Sequence, residues 1–107
     1  PDEEDRQVAI YSVAPVTAER PRRMAVAEYL TRVNYGLVLG NFEMDFEDGE
    51  IRYKTSISVD DADLTPAMAG RLVEANVEAM DQYLPGLMLV LGGKATPAEA
   101  AARMDEE

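Results

Sequence analysis

The chain contains no cysteine, no histidine and no tryptophan, and only 10 basic residues stand against 21 acidic ones in a length of 107. Each shortage removes a class of chemistry. Without histidine or cysteine there is no Ser-His-Asp or Cys-His nucleophile, no zinc site of nitrogen and sulfur, no disulfide framework and no thiol redox couple. A metal could be held only as a hard ion by carboxylates, and no cofactor is expected. The scarcity of bases gives a formal net charge of -11 and a pI near 4.3. Such a charge repels phosphate backbones and anionic bilayers, so neither nucleic acid nor membrane is an expected partner. Long apolar runs are missing too: the longest, from Leu84 to Gly93, is about half of a membrane span. The acidic opening, Pro1 to Asp5, lacks the basic-then-apolar order of a signal peptide, which makes cytoplasm the expected location. An opening on proline rather than methionine points to trimming ahead of Pro1.

What remains is 47% hydrophobic and 29% charged, a composition that folds, at a length that suits one domain. That domain is expected over residues 7–104, between flexible acidic tails at 1–6 and 105–107. A core of this size is small, so self-association is an attractive source of extra stability.

The periodicities divide the chain into an antiparallel α+β order. Val8, Ile10 and Ser12 alternate with Ala9, Tyr11 and Val13 up to Pro15, which reads as a strand of about seven residues, helix being the competing reading. Pro21 suits the first turn of a helix that carries Val26, Tyr29, Leu30 and Val33 at helical spacing and ends near Asn34, with Gly36 beyond. Asp48-Gly49 between two alternating runs predicts a two-residue hairpin turn of the primed type. In that register Phe46 faces Ile51, Met44 faces Tyr53 and Phe42 faces Thr55, while Asp45 opposes Arg52 and Glu43 opposes Lys54. A bulge at Gly40-Asn41 would bring Leu39 to Ile57 and Leu37 to Val59, extending the hairpin over 37–59. Asp60 to Asp63 make the turn into a helix with Thr65 as N-cap and Pro66 first. Its expected apolar stripe is Ala69, Leu72, Val73, Val77, Met80 and Leu84, with Pro85-Gly86 interrupting it. Thr96 and Glu99 spell a capping box for a terminal helix.

Few motifs survive scrutiny as chemistry. Gly92-Gly93-Lys94-Ala95 lacks the spacing and the hydroxyl of a P-loop and reads as a helix stop. The acids of 60–63 fail the EF-hand pattern, since Pro66 and Leu72 fall where glycine and glutamate are needed, so a solvated helix-initiating loop is expected. Glu43, Asp45, Glu47 and Glu50 lie on the outer hairpin face, where water keeps carboxylates ordinary, and catalysis is not expected. Arg20, Arg22 and Arg23 form the one basic cluster, near a helix N-terminus, and are the candidate anion-binding residues. Local pairing with acids such as Glu19 competes with that reading. The six methionines, Met68, Met80 and Met88 among them, fit core filling or an adaptable binding surface. Leu87, Met88, Leu89, Val90 and Leu91 are apolar on every side of a helix; a homodimer or partner interface is the candidate cover.

Asn34-Tyr35-Gly36-Leu37, Gly40-Asn41-Phe42-Glu43 and the stretch Asp48 to Ser56 resemble the YbjN family, particularly its cyanobacterial-type members. Asn76-Val77, Met80-Asp81, Tyr83 to Gly86 and Thr96 to Ala100 fit the same pattern, so the resemblance spans residues 8–102. It implies an α+β fold similar to the type III secretion chaperones, in the order β-α-β-β-α-α, often dimeric, under the label of bacterial sensory transduction regulator. The family brings no catalytic residues to carry over. Its usual domain has a helix and further strands ahead of the segment matched by Val8 to Val13. The chain is therefore either trimmed or a short member whose exposed sheet edge is covered by a second copy. The expected function is a noncatalytic protein-interaction module, chaperone-like or regulatory; the alternative is an anion or small-ligand sensor using Arg20 to Arg23. The acidity is uneven. Residues 1–34 carry 6 acids and 5 bases, 35–65 carry 8 and 2, and 66–107 carry 7 and 3, a bias suited to solubility and to steering a basic partner segment.

Overall fold

A computed structural model describes residues 6–59 and 64–105. Strand β1 runs Arg6–Thr17, a 3-10 turn spans Arg20–Arg22, helix α1 covers Arg23–Gly36, strands β2 and β3 cover Asn41–Met44 and Glu50–Val59, and helices α2 and α3 cover Pro66–Leu91 and Pro97–Asp105. The three strands form one antiparallel sheet in the order β1-β3-β2. The fold is thus α+β, with a three-stranded antiparallel sheet and three helices. The acidic turn 60–63 and residues 1–5 and 106–107, where loop and tails are expected, lie outside the described residues; Arg6 and Asp105 belong to β1 and α3.

Alternation in the strands decides which face is covered. Ala14, Phe42, Ile51, Tyr53 and Thr55 turn inward to meet Val26, Tyr29, Leu30 and Val33 of α1, Tyr83, Leu87 and Val90 of α2, and Ala100, Ala101 and Met104 of α3. The other face carries Tyr11, Val13, Arg52 and Lys54. There the Arg52 guanidinium lies 4.2 Å from the centre of the Tyr11 ring. Phe42 forms edge-to-face pairs with Tyr53 at 4.9 Å and Tyr83 at 5.9 Å, geometry that adds to simple burial.

β1 is longer than its alternation foretells, 12 residues rather than about seven, and includes Pro15. A proline is tolerated there because β1 is an edge strand and its pairing with β3 is irregular between Val13 and Thr17. The hairpin departs further. Asn41 pairs with Lys54, Phe42 with Tyr53, Glu43 with Arg52 and Met44 with Ile51, a shift of two residues that preserves both faces but not the pairs. A primed turn at Asp48-Gly49 needs positive φ at Asp48, and Gly40, Gly49 and Gly93 alone have it among the described residues. The chain instead makes a four-residue loop, Phe46 to Gly49, closed by Gly49 N–H on Asp45 O at 2.7 Å. The Asp45 and Asp48 carboxylates accept from Glu47 N–H and Glu50 N–H, as short acidic side chains do in turns. Phe46 is consequently exposed, and Glu43 rather than Asp45 meets Arg52, at 2.8 Å, with Lys54 at 3.8 Å.

Residues 37–40 form no strand, so the expected bulged extension to Leu37 is absent. Asn34 takes its place: its amide accepts from Phe42 N–H at 2.8 Å and donates to Phe42 O at 3.0 Å, substituting for a neighbouring strand. Tyr53 hydroxyl donates to Leu39 O, and Gly40, at φ 77°, turns the chain into β2. Val38 and Leu39 are left exposed.

α2 runs unbroken through Pro85, where an interruption is expected. A proline in a helix interior costs about 3 kcal/mol, but Leu87 and Val90 beyond it are buried, each worth about 2 kcal/mol. Tyr29 also donates to Tyr83 O at 2.7 Å beside the bend-prone pair. Thr65 caps α2 through Met68 N–H at 3.1 Å. The Thr96/Glu99 box caps α3 reciprocally, at 3.0 and 3.1 Å.

Candidate interaction surface

α2 carries an apolar arc too wide for one contact. Leu72, Asn76, Ala79, Tyr83, Leu87 and Val90 are the side buried against the sheet and α1. Of the stripe expected from the sequence, Leu72 alone is fully buried. Val73 and Val77 are 48% and 52% exposed, while Ala69, Met80 and Leu84 are half-buried. This inverts ordinary preference, because an asparagine is inside while two valines on the next turn of the surface are outside.

Three hydrogen bonds explain the asparagine. Asn76 is 1% exposed; its amide accepts from Ser12 hydroxyl of β1 at 2.9 Å and donates to Thr55 hydroxyl of β3 at 2.6 Å and to Leu72 O at 2.9 Å. α2 is thereby pinned astride β1 and β3. Gly86 fixes the opposite flank, since its backbone lies against the Tyr29 hydroxyl of α1 and Met104 of α3. With α1 on the Gly86 side, the Val73-Val77 flank must face the other way, beside the outer edge of β1. An open groove of about 500 Å³ lined by Val16, Pro21, Arg22, Met88 and Leu91 continues that junction to the far end of the helix.

The edge itself is unusual. From Gln7 to Ala18 there is no charged residue, although edge strands are commonly guarded by lysine or other inward charges. β2, the opposite edge, is blunted by the Asn34 amide; among the described residues β1 has only Pro15 and its irregular stretch, leaving Gln7 to Val13 with alternate N–H and C=O groups directed away from β3. Val8, Ile10 and Ser12, on its helix-facing side, are half-buried.

The residues singled out by sequence separate on this framework. Leu87 and Val90 are 2% and 1% exposed, buried within the chain, because α1 and α3 pack over the end of α2. They have no surface to offer a partner. Leu89 and Leu91 are half-buried, and Met88, 48% exposed, is the member of the run that joins the open flank. Val73 and Val77, which the apolar stripe assigns to the core, are instead surface residues; burial of Asn76 is the signal, and it depends on Ser12 and Thr55 from distant segments.

The arginines do not converge either. Arg23 donates from Nε to Ala18 O at 2.8 Å and from Nη1 to Phe46 O and Glu47 O at 2.9 and 3.3 Å, tying the end of β1 to the hairpin loop. Arg22 lies over Gly93, and Arg20 borders Met24, Phe46 and Glu47. Arg23→Lys, which keeps the charge but loses the fork, is expected to lower stability by about 1–2 kcal/mol in urea unfolding.

On the outer sheet face, the Arg52 hydrogen bond holds the Glu43 carboxyl below its usual range, against a smaller opposing effect of burial. Among the described residues no group of three acidic side chains is placed to hold a metal ion, and no helix is long and apolar enough to cross a membrane. In the core, burial first and then the hydrogen bond to Asp105 push Tyr83 up to about 12; burial raises Tyr29 and Tyr53 as well. Raised tyrosine values favour folding fully below the unfolded value near 10, and that contribution is lost as pH climbs through the folded values. Urea midpoints are therefore expected to fall progressively between about pH 10 and pH 12, with tyrosinate absorbance rising in step with unfolding. Tyr83→Phe should flatten that slope.

These features define a two-layer α+β domain with an apolar helix flank beside the β1 edge, which carries no charged residue from Gln7 to Thr17. The chain belongs to the YbjN family, whose model matches residues 1–88 and is described as "Putative bacterial sensory transduction regulator". No curated protein and no solved structure matches the chain significantly.

Proposed function

We propose that the protein is a noncatalytic interaction module with a regulatory role, acting in the cytoplasm through the β1 edge and the Val73-Val77-Met88 flank of α2, in an architecture of the type III secretion chaperone kind. The observation that carries this reading is the inversion on α2: Asn76 is buried while Val73 and Val77 face outward beside a strand that carries no charge from Gln7 to Thr17. Placing apolar surface outside at the expense of a buried amide breaks a local folding rule, and such breaks concentrate at functional surfaces. The family description, a sensory transduction regulator of bacteria, agrees with a module that works by contact. The anion-sensor alternative is weaker, because Arg23 is engaged with three carbonyls and Arg20 and Arg22 border different grooves.

A photo-crosslinking amino acid placed at Val77, with Glu78 as control, tests the reading in living cells. Protein adducts are expected at Val77 and not at Glu78. Equal labelling at the two positions, or none at either, would count against an interaction surface here.

A further inference from the structure

Resting on that reading, we propose that the partner of this surface is an amphipathic α-helix of another protein, laid along the outer flank of α2 with its basic residues turned toward Glu74, Glu78 and Asp81.

The flank has the form of a seat for a helix. Val73, Val77, Leu84, Met88 and Leu91 recur at steps of three, four and seven residues, so they form one line along α2 about 27 Å long. Val73, Val77 and Met88 are exposed, and Leu84 and Leu91 are half-buried. No charged residue interrupts the line, and its far end opens into the groove lined by Val16, Pro21 and Arg22. A helix of about five turns matches a surface of this length, its own apolar residues entering between those of α2. A strand fits less of it. The β1 ladder becomes irregular between Val13 and Thr17, and Pro15 has no N–H to give, which leaves Gln7–Val13 for pairing, roughly 23 Å. An added strand also lies in the sheet layer, beneath the level of Val77 and Met88. A helix at the usual packing distance from α2, about 8–10 Å, meets the whole line and leaves the β1 backbone edge to water.

Charge selects the kind of helix. Glu74 and Asp81, three residues before Val77 and four after it, border the line on its outer side, and Glu78 stands next to both. α2 holds these three acids against a single base, Arg71. All three acids are exposed, and among the described residues none of them is in an ion pair. The opposite bank, β1 from Gln7 to Thr17, carries no charge. The seat is therefore apolar along its middle, neutral on one bank and negative on the other. A helix with lysine or arginine along one border of its apolar stripe is complementary to it, whereas a second copy would bring the same acids to the same border.

Fluorescence anisotropy with the 107-residue chain tests this with labelled peptides of about 18 residues. One has leucines at helical spacing bordered by lysines, one has the same leucines bordered by glutamates, and one is the lysine peptide in scrambled order. The lysine helix is expected to bind roughly tenfold tighter than either of the others, and to weaken as salt rises. Val77→Ser should weaken it about tenfold while circular dichroism stays folded. The Glu74→Gln/Asp81→Gln pair should weaken it and flatten the salt dependence, and Val38→Ser, on the exposed turn before β2, should leave it unchanged. Equal binding of the scrambled peptide, preference for the glutamate helix, or indifference to Val77→Ser overturns the proposal. If no peptide binds while a crosslinker at Val77 captures a different protein or a second copy in cells, the basic helix is wrong as occupant and the interaction reading stands. Absence of both binding and adducts sinks both.

Discussion

Gly49→Ala is expected to lower unfolding stability by about 3–5 kcal/mol, read as a loss in urea midpoint, and to come close to unfolding the chain. Two costs combine at this residue. Its φ of 81° is in the left-handed region, which costs an alanine about 1–2 kcal/mol. A methyl group there would also overlap the Ala18 carbonyl, with the Ala18 carbon at 2.9 Å. Nothing on that side can yield, because Ala18 is 0% exposed, its N–H bonds to Gly49 O at 2.9 Å and its carbonyl accepts from Arg23. Asparagine, which tolerates left-handed φ, would meet the same carbonyl and should rescue little. The penalty is a large share of the 5–15 kcal/mol that holds a typical domain together, roughly speaking. Gly70 is the natural control: it lies within α2 with open space where a methyl group would sit, so Gly70→Ala should raise stability by about 0.5–1 kcal/mol.

Gly49 also marks how far local sequence carries. The glycine, the alternation on both sides and the hairpin itself are legible in the chain, because periodicity and turn chemistry are local properties. The register is not, because it depends on the Asp45 and Asp48 side chains and on Ala18 and Arg23, the last two reaching the loop from 23 residues or more away in sequence. A two-residue slip keeps each side chain on its face, so Phe42, Met44, Ile51 and Tyr53 are inward in either register. α1 is legible from Val26, Tyr29, Leu30 and Val33, as are both caps, Thr65 and Thr96. Leu87 to Leu91 show the opposite case. Their all-round apolarity demands a cover, which sequence alone leaves to any neighbour, and α1 with α3 provides it for Leu87 and Val90. On α2 the wide apolar arc offers two halves that could face the core, and hydrophobicity alone picks the valines.

Asn76 makes that choice, and its replacement should show it. Asn76→Ala removes three hydrogen bonds, leaves the Thr55 hydroxyl buried without its donor at 0% exposure and opens a small cavity. Together these are expected to cost about 3 kcal/mol. Asn76→Leu restores volume but not the bonds, and should still cost about 2 kcal/mol through the stranded hydroxyl. Pairing it with Thr55→Val removes both ends of the bond, so the double variant should regain most of that loss; the coupling in the cycle is expected at about 1–3 kcal/mol. Additive losses would mean that Asn76 contributes by volume alone. The consequence for function runs beyond stability. With leucine at 76 and valine at 55, nothing polar pins α2 astride β1 and β3, and the helix can roll toward burying Val73 and Val77. That variant should therefore remain folded while crosslinking at position 77 falls, which separates the role of Asn76 in orienting the surface from its role in holding the core.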